Sequence, residues 1–507
     1  MAYITRGGKR DGTGRRVGGD KKDKGETKTN NLKNVDSDII KELESLPIDF
    51  WDFKKIGVKD TVHGIHNYPA IMIYPISRNI LNITQKYQGK INSLLDPFQG
   101  SGTVIVEGVV NGIPKIYGND LNPLARLITK TKVTAPKINN LKIKITSFIK
   151  DVEKEFISIN AIVSGLEKYV ANCNIDISER NGWGDNAPQI LQEFFNTRKC
   201  NFDTPKFTNI GFWFTPSVII KLQTLKNQII HTEDEKLKDF LLLAFSETVR
   251  LSSNTRNGEF KMYRMKAENV IKFNPDVLGI FTKILDRNLN KVLAFNGNYE
   301  ENINNSEVLI FSDDSRTLAS IPNNSIDLMV TSPPYGDSRT TVAYGQFSRL
   351  SLQWLDLGDI EMEDIKRIDN KLLGGEKITK DFEITLKSET LKKGLKEIRE
   401  SDEQRATEVY SFYIDLDNSM KAITQKMRIN SYQYWVVGNR TVKDINLLTD
   451  VIIIELAEQH GLKFVTKVAR NISNKVMPSR NSPTNEVGKL VPTMMNEYIV
   501  ILRKDKE

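Results

Sequence analysis

An open α/β sheet is the fold class that this sequence predicts, on three observations. Seven apolar, strand-like runs stand at 92–97, 115–119, 307–311, 326–332, 432–438, 463–469 and 496–503, with helix-period segments between several of them. The first run opens into a glycine-bearing turn, Asp96-Pro97-Phe98-Gln99-Gly100-Ser101-Gly102-Thr103, followed at once by an apolar helical segment. Four runs end in polar residues: Asp96, Asp120, Asp313 with Asp314, and Ser332. Ligands of open α/β sheets bind beyond the carboxyl ends of the strands, so these four ends point to one shared site.

In chain order, residues 1–36 read as a disordered basic tail. Positions 1–35 hold ten Lys/Arg and four Asp/Glu, most of the net charge of +8, with few apolar residues. Such a tail could add salt-sensitive attraction to phosphates, or simply be solvated. Asp36-Ser37 is a capping signal ahead of Ile39, Ile40, Leu43 and Leu46, and Pro47 stops that helix. Residues 37–136 form the ligand-binding half. Gly100 and Gly102 permit positive φ and close backbone approach. The helix beginning near Thr103 turns its free N–H groups toward whatever lies on the loop. No lysine follows Gly102, and Ile105 stands where a dinucleotide fingerprint needs a third glycine. Asp120, at the end of the second run, is placed to accept hydrogen bonds from ribose hydroxyls. The expected ligand carries a ribose and no pyrophosphate. Taken alone, a G-x-G is common in ordinary turns.

Residues 137–305 read as a mainly helical insertion, with amphipathic stretches at 216–230 and 237–251. Its polar, arginine-bearing loop at 250–258 could reach base edges, or could join two helices. In 306–345, Asp313-Asp314 could accept from a ring amine or form a plain strand-end turn. Thr331-Ser332-Pro333-Pro334-Tyr335-Gly336-Asp337 then follows the fourth run. Two prolines have fixed φ and no N–H, so this backbone is stiff and its carbonyls are free to accept. Beside Tyr335, such acceptors suit a flat ring with an exocyclic amine; a proline-rich turn is the plain alternative. Residues 346–426 read as a second, charged helical insertion. It opens with an apolar helical stretch at 347–357, and its 366–405 stretch mixes both charge signs like a solvated face. Strand and helix alternate again over 427–507, around a long basic loop at 474–485.

Composition removes several classes. At 507 residues, 39% apolar and 27% charged, the chain reads as soluble. It has no run of about eighteen apolar residues and no secretory h-region. Two cysteines without pattern, Cys173 and Cys200, fit a reducing, cytoplasmic setting. Neither follows a proline, so thiolate addition to cytosine C5 is not expected. The four histidines are not grouped at ligand spacing, so no metal is expected, and His63 with His66 reads as a turn pair.

Together, the 96–103 block, Asp120 and Thr331-Ser332-Pro333-Pro334-Tyr335 resemble the amino-group DNA methyltransferases, which methylate cytosine N4 or adenine N6 from S-adenosylmethionine. The resemblance extends to 306–315, to Tyr434-Trp435-Val436-Val437-Gly438-Asn439, to 495–504, and to His66-Asn67-Tyr68-Pro69-Ala70, where the family places a segment over the methionine end. It implies a Rossmann-like methyltransferase fold of about seven strands, the last antiparallel. It also implies S-adenosylmethionine as cofactor, held by Asp96, Phe98, Gly100, Gly102, Thr103, Asp120, Asp313 and Asp314, with Ser332, Pro333, Pro334 and Tyr335 catalytic. Double-stranded DNA is the implied substrate, in a restriction-modification or related defence setting where a cognate restriction endonuclease can be a partner. Ser-Pro-Pro-Tyr members mostly act on cytosine N4; adenine N6, or an amine of RNA or protein, are the alternatives. Asp337 is a candidate proton acceptor or a surface residue.

Overall fold

The structure is a computed structural model that describes residues 25–54, 57, 60–198, 203, 207–256, 260–337, 342, 344–358, 360–376, 378–379, 382–472, 480–481, 491–492 and 496–506. Its strands in chain order are β1 (Ser93–Asp96), β2 (Lys115–Asn119), β3 (Glu307–Phe311), β4 (Ile326–Thr331), β5 (Met427–Gly438), β6 (Arg440–Val442), β7 (Ile445–Leu447), β8 (Leu462–Asn471), β9 (Arg480–Asn481), β10 (Val491–Pro492) and β11 (Asn496–Lys504). Seven of them form one sheet in the order β3-β2-β1-β4-β5-β11-β8. Neighbours from β3 to β5 run parallel, and β11 runs antiparallel to both β5 and β8. This is the open α/β sheet that the sequence predicts, in the Rossmann-like methyltransferase arrangement that the resemblance implied. All seven strand-like runs form strands, although β5 starts at Met427 rather than at 432.

Alternation along the strands explains why both faces are covered. Leu94, Ile116, Leu328, Val330, Tyr434, Val436, Ile499 and Ile501 point to one face. Leu95, Tyr117, Met329, Trp435, Val437, Val500 and Leu502 point to the other. Strands buried on both faces read as continuous apolar runs, which is how these appeared in the sequence. The first face carries α2 (Tyr74–Gln88), α3 (Thr103–Val110) and α4 (Pro123–Thr134). The insertion between β2 and β3 packs outside them. It comprises α5 (Leu141–Ser158), α6 (Asn160–Asn172), α7 (Asp185–Arg198), α8 (Ile210–Trp213), α9 (Pro216–Ile230), α10 (Glu235–Leu251), α11 (Ala267–Lys272) and α12 (Val277–Asn305). It shares its core with α13 (Tyr344–Leu355), and α14 (Met362–Lys371) lies on α13. The second face carries α15 (Glu389–Ser401), α16 (Glu403–Lys426) and α17 (Thr449–Ala457). The mixed-charge stretch is therefore only partly a solvated face. α15 buries Leu391, Gly394, Leu395 and Ile398, and α16 lies on the sheet.

Local starts follow capping chemistry. Asn122 caps α4 by accepting from the Leu124 N–H at 3.1 Å, with Pro123 at the first helical position. Asp234 caps α10, and Asp402 caps α16, by the same chemistry. Asp36 is a correction. It was expected to begin the ordered chain after a disordered segment reaching residue 36, but α1 runs from Gly25 to Ser45 straight through it. The Asp36 carboxylate instead points inward, accepting from Arg503 Nε at 3.0 Å and the Tyr432 hydroxyl at 2.7 Å. That pairing, between residues far apart in sequence, overrides the local cap signal. The rest of the basic tail lies outside the described residues.

Strand order sets the site. β1 leads to β2 on one side and its other neighbour β4 leads to β5 on the opposite side, so the connections from the carboxyl ends of β1 and β4 leave in opposite directions. That reversal opens a crevice at the strand ends. Register keeps the ends level: Asp96 lies opposite Gly118, and Asn119 opposite Phe311. Among the described residues, no helix is long and apolar enough to cross a membrane.

Candidate active site

A cleft sits over these ends, about 900 Å³ of empty space when the part open to solvent is included. It is lined by Asp96, Phe98, Gly100, Thr103, Asp120, Asp313, Asp314, Ser332 and Pro334 among the sequence-derived candidates. Gly102, Pro333 and Tyr335 belong to the same turns but do not line it. The two motifs touch directly. The Thr331 hydroxyl donates to Asp96 Oδ1 at 2.7 Å across 235 positions of sequence, which locks the diproline turn to the glycine turn.

The glycine turn is shaped by backbone conformation. Gly100 and Gly102 have φ of 49° and 78°, in the left-handed region that favours glycine. A Cβ on Gly102 would also meet Thr129 side-chain atoms at 2.5 Å. Two further bonds hold the turn. Gly100 N–H donates to Asp120 Oδ2 at 3.0 Å. The buried Lys132 Nζ donates to the Ser101 carbonyl at 2.6 Å, and burial pushes this ammonium down to about 7. Asp120 also accepts from Asn122 N–H at 2.8 Å through Oδ1, so its carboxylate is aimed by two backbone donors and retains lone pairs. Burial, only partly opposed by these donors, pushes its carboxyl up.

The remaining walls come from segments far apart in the chain. Tyr68, Pro69, Ala70, Ile71 and Met72 line one side, and Tyr68 covers Gly100. The Tyr68 ring stacks on Tyr344 at 5.9 Å, and its oxygen accepts from Asn122 Nδ2 at 3.2 Å. Tyr344, at the start of α13, and Lys371, Leu372 and Leu373 of the second insertion also line the site. Asn119 ties two strand ends by donating to the carbonyls of Pro97 and Asp313. Its Oδ1, and both polar atoms of Gln99, are buried at the cleft without a hydrogen-bond partner among the described residues. Buried polar atoms are rarely left unpaired without a reason, and here they suit a ligand rich in donors and acceptors. Asp314 is chelated by Arg316, which also reaches Asp415. Asp313 accepts from the Ser320 N–H and hydroxyl, one bond on each oxygen.

Tyr335 packs its ring against the second core layer. Its hydroxyl lies 3.2 Å from Ser332 Oγ and 3.1 Å from Glu497 Oε1. Asp337 is not a surface residue. It is buried, with one oxygen 2.9 Å from Arg405 and 3.1 Å from Arg440, which makes it an anchor of the turn and a poor proton acceptor. His63 and His66 do stand in a turn, His63 within Val62–Gly64 and His66 in the bend after it. Both are buried, His63 against Glu107 and His66 against Ser246, and burial lowers both, His66 to about 4. In the 250–258 loop, Ser252, Ser253 and Asn254 are wholly buried, so they connect helices and are closed to base edges. Arg250 stacks on Phe347 at 4.2 Å. Asn257 and Gly258, and most of the 474–485 loop, lie outside the described residues. Sequence reasoning missed Gln99, Asn119, Asn122, Tyr344, Lys371, Lys132 and Glu497. Only Asn122 carried a local signal, as a cap before Pro123.

Asp96 yields a pH prediction. Burial pushes its carboxyl up to about 7, against the opposing bonds from Thr331 and Phe98 N–H. An unfolded aspartate ionises near its ordinary ~3.9, so between about pH 4 and 7 the folded state holds the extra proton. Stability is then highest below that window and falls as pH rises through it, by roughly 1.4 kcal/mol per unit. Both protein donors reach Oδ1, which an asparagine carbonyl keeps. Asp96→Asn is expected to flatten the dependence and to be more stable than wild type at pH 8, as read by denaturant unfolding from pH 5 to 8. A wild-type slope of opposite sign would refute this.

Comparison with known proteins gives the following. No protein-family model matches the chain. The type II methyltransferase M.MvaI of Kocuria varians is 39% identical over 481 residues, covering 93% of this chain and 98% of that protein. The type II methyltransferase M.MjaII of Methanocaldococcus jannaschii is 24% identical over 321 residues, covering 54% of this chain and 59% of that protein. A solved structure described as a DNA modification methylase, from Thermus thermophilus, is 17% identical with a TM-score of 0.19, covering 38% of this chain and 51% of that one.

Proposed function

The chain belongs to the type II methyltransferases, and from that premise we propose that it transfers a methyl group from S-adenosylmethionine to an exocyclic amine of a base turned out of duplex DNA, cytosine N4 ahead of adenine N6. The observation that supports the proposal is the Thr331–Asp96 bond, by which the diproline turn adjoins the cleft over the strand ends. When bound, S-adenosylmethionine supplies an electrophilic methyl carbon on a sulfonium.

The cleft fits that group in its donor set. Asp120 presents free lone pairs for two ribose hydroxyls. Phe98 offers an apolar face, and the unpaired atoms of Gln99 and Asn119 offer polar contacts. Of the two strand-end acids, Asp313 keeps a lone pair on each oxygen for the adenine amine, whereas Asp314 is engaged by Arg316.

An exocyclic amine is a weak nucleophile because its lone pair is delocalised into the ring, and the stack hides it, so the base must be extruded. Ser332 Oγ and the Pro333 carbonyl accept the two amine hydrogens. These bonds strengthen as nitrogen becomes tetrahedral and positive, so they act on the barrier rather than on binding alone. The Tyr335 ring stacks on the base, a contact of about 1–3 kcal/mol. Holding the reacting atoms in line contributes up to about 7–11 kcal/mol in favourable cases. The methylated amine loses its extra proton afterwards, and with Asp337 tied to two guanidiniums that proton passes to water. The helical insertion is the proposed reader of the recognition sequence, and a cognate endonuclease the proposed partner. Adenine N6 is the second reading, because the same turn accepts from either amine. Nucleoside mass spectrometry of DNA from cells expressing the chain is expected to show N4-methylcytosine. N6-methyladenine alone would select the second reading, and neither base, with folded protein present, would refute both.

A further inference from the structure

Ser332, Tyr335 and Glu497 form a hydrogen-bonded chain whose polarity can be read from its far end. Glu497, on β11, is gripped by Arg470 through Oε2 and faces the Tyr335 hydroxyl through Oε1. Arg470 is a donor only, and it is buried, also donating to the Trp51 carbonyl at 2.9 Å. A carboxylate beside it can only accept, so the single hydroxyl proton of Tyr335 must go to Glu497. Burial, and then the Glu497 charge, push the Tyr335 phenol well up, so it keeps that proton. The Tyr335 oxygen is left as an acceptor, and the group 3.2 Å away is Ser332 Oγ. The serine proton is thereby drawn toward Tyr335, and the lone pairs of Ser332 Oγ are left facing the cleft that this residue lines.

We infer that Glu497 is a positioning residue which, acting through the Tyr335 hydroxyl, fixes Ser332 as a hydrogen-bond acceptor toward the target amine. The inference rests on the reading of the cleft given above. A serine hydroxyl by itself can donate or accept, and a donor aimed at an amine is repelled. Glu497, supplied by the last strand, removes that ambiguity without touching the substrate.

Glu497→Gln tests the polarity. Arg470 still demands an oxygen, so the glutamine carbonyl turns to Arg470 and its NH2 faces Tyr335. Tyr335 must then accept from Gln and donate to Ser332, which turns the serine proton into the cleft. The measurement is single-turnover transfer to cognate duplex in a cycle of Glu497→Gln, Tyr335→Phe and the double variant, with thermal melting as the folding control. Glu497→Gln is expected to lower the transfer rate constant by about 100-fold and Tyr335→Phe by about 10-fold, with KM for DNA within about threefold. In the Tyr335→Phe background, Glu497→Gln should cost less than about threefold more. Equal losses in both backgrounds, or a loss confined to KM, would overturn the inference. Should Glu497→Gln fail to fold, Tyr335→Phe decides alone, and an unchanged rate constant overturns it. Transfer by the wild type is the separate measure of the functional reading. Its absence removes both, whereas wild-type transfer with an additive cycle removes only the role of Glu497.

Discussion

Tyr335→Ala is expected to lower kcat/KM for DNA by about 10²- to 10³-fold while leaving affinity for S-adenosylmethionine within about threefold. Two losses add in this variant. Stacking on the extruded base is worth about 1–3 kcal/mol. Removing the hydroxyl also frees Ser332 from its 3.2 Å neighbour, so the serine no longer meets the amine in one fixed orientation. Loss of the hydroxyl is expected to cost about 10-fold by itself, as in Tyr335→Phe. Donor affinity is spared because Tyr335 does not line the cleft, whereas Ser332 and Pro334 do. Single-turnover kinetics and titration calorimetry read the two quantities separately. A loss under about threefold in transfer, or a loss that falls on donor affinity instead, would contradict the placement of the base against Tyr335.

Asp120→Ala is expected to weaken S-adenosylmethionine binding by about 100-fold or more, with DNA affinity little changed. The carboxylate serves the site twice. It is aimed by the N–H groups of Gly100 and Asn122, so its removal also loosens the glycine turn. In the proposed complex it also offers charged acceptors to the ribose hydroxyls, and hydrogen bonds to a charged group are worth roughly 1.5–3 kcal/mol each. Asp120→Asn is expected to fall between, because its carbonyl replaces one oxygen and its NH2 would confront a backbone N–H at the other. Titration calorimetry with S-adenosylmethionine ranks the three proteins. If alanine and asparagine were indistinguishable from wild type, Asp120 would not bind the donor.

Much of the site was legible in local chemistry. The positive φ at Gly100 and Gly102 follows from what only glycine tolerates comfortably, and Asp96, Asp120, Asp313 and Ser332 all sit at strand ends because apolar runs stop where polar residues begin. Other residues gave no such signal. Tyr344 and Lys371 lie in helices whose own pattern concerns their packing, and neither is marked as facing a cleft. Asp337 read as a proton acceptor or a surface residue, since nothing nearby in sequence announces that Arg405 and Arg440 close on it. Asp36 looked like a helix cap for the same reason, because its partners Arg503 and Tyr432 belong to the other end of the chain.

The sequence by itself determined the seven strands, the shape of the glycine turn and the chemistry available at the strand ends. These depend on side-chain period and backbone sterics over a few neighbouring residues, and no distant partner is needed to state them. Only the tertiary structure decided that Thr331 bonds Asp96, that Tyr68 stacks on Tyr344, and that Glu497 faces Tyr335. The first and last of those contacts depend on the strand order, with β4 beside β1 and β11 between β5 and β8, and the Tyr68 stack depends on how α13 packs over the strand ends. Strand order is settled by the collective burial of whole layers, and no local periodicity encodes it.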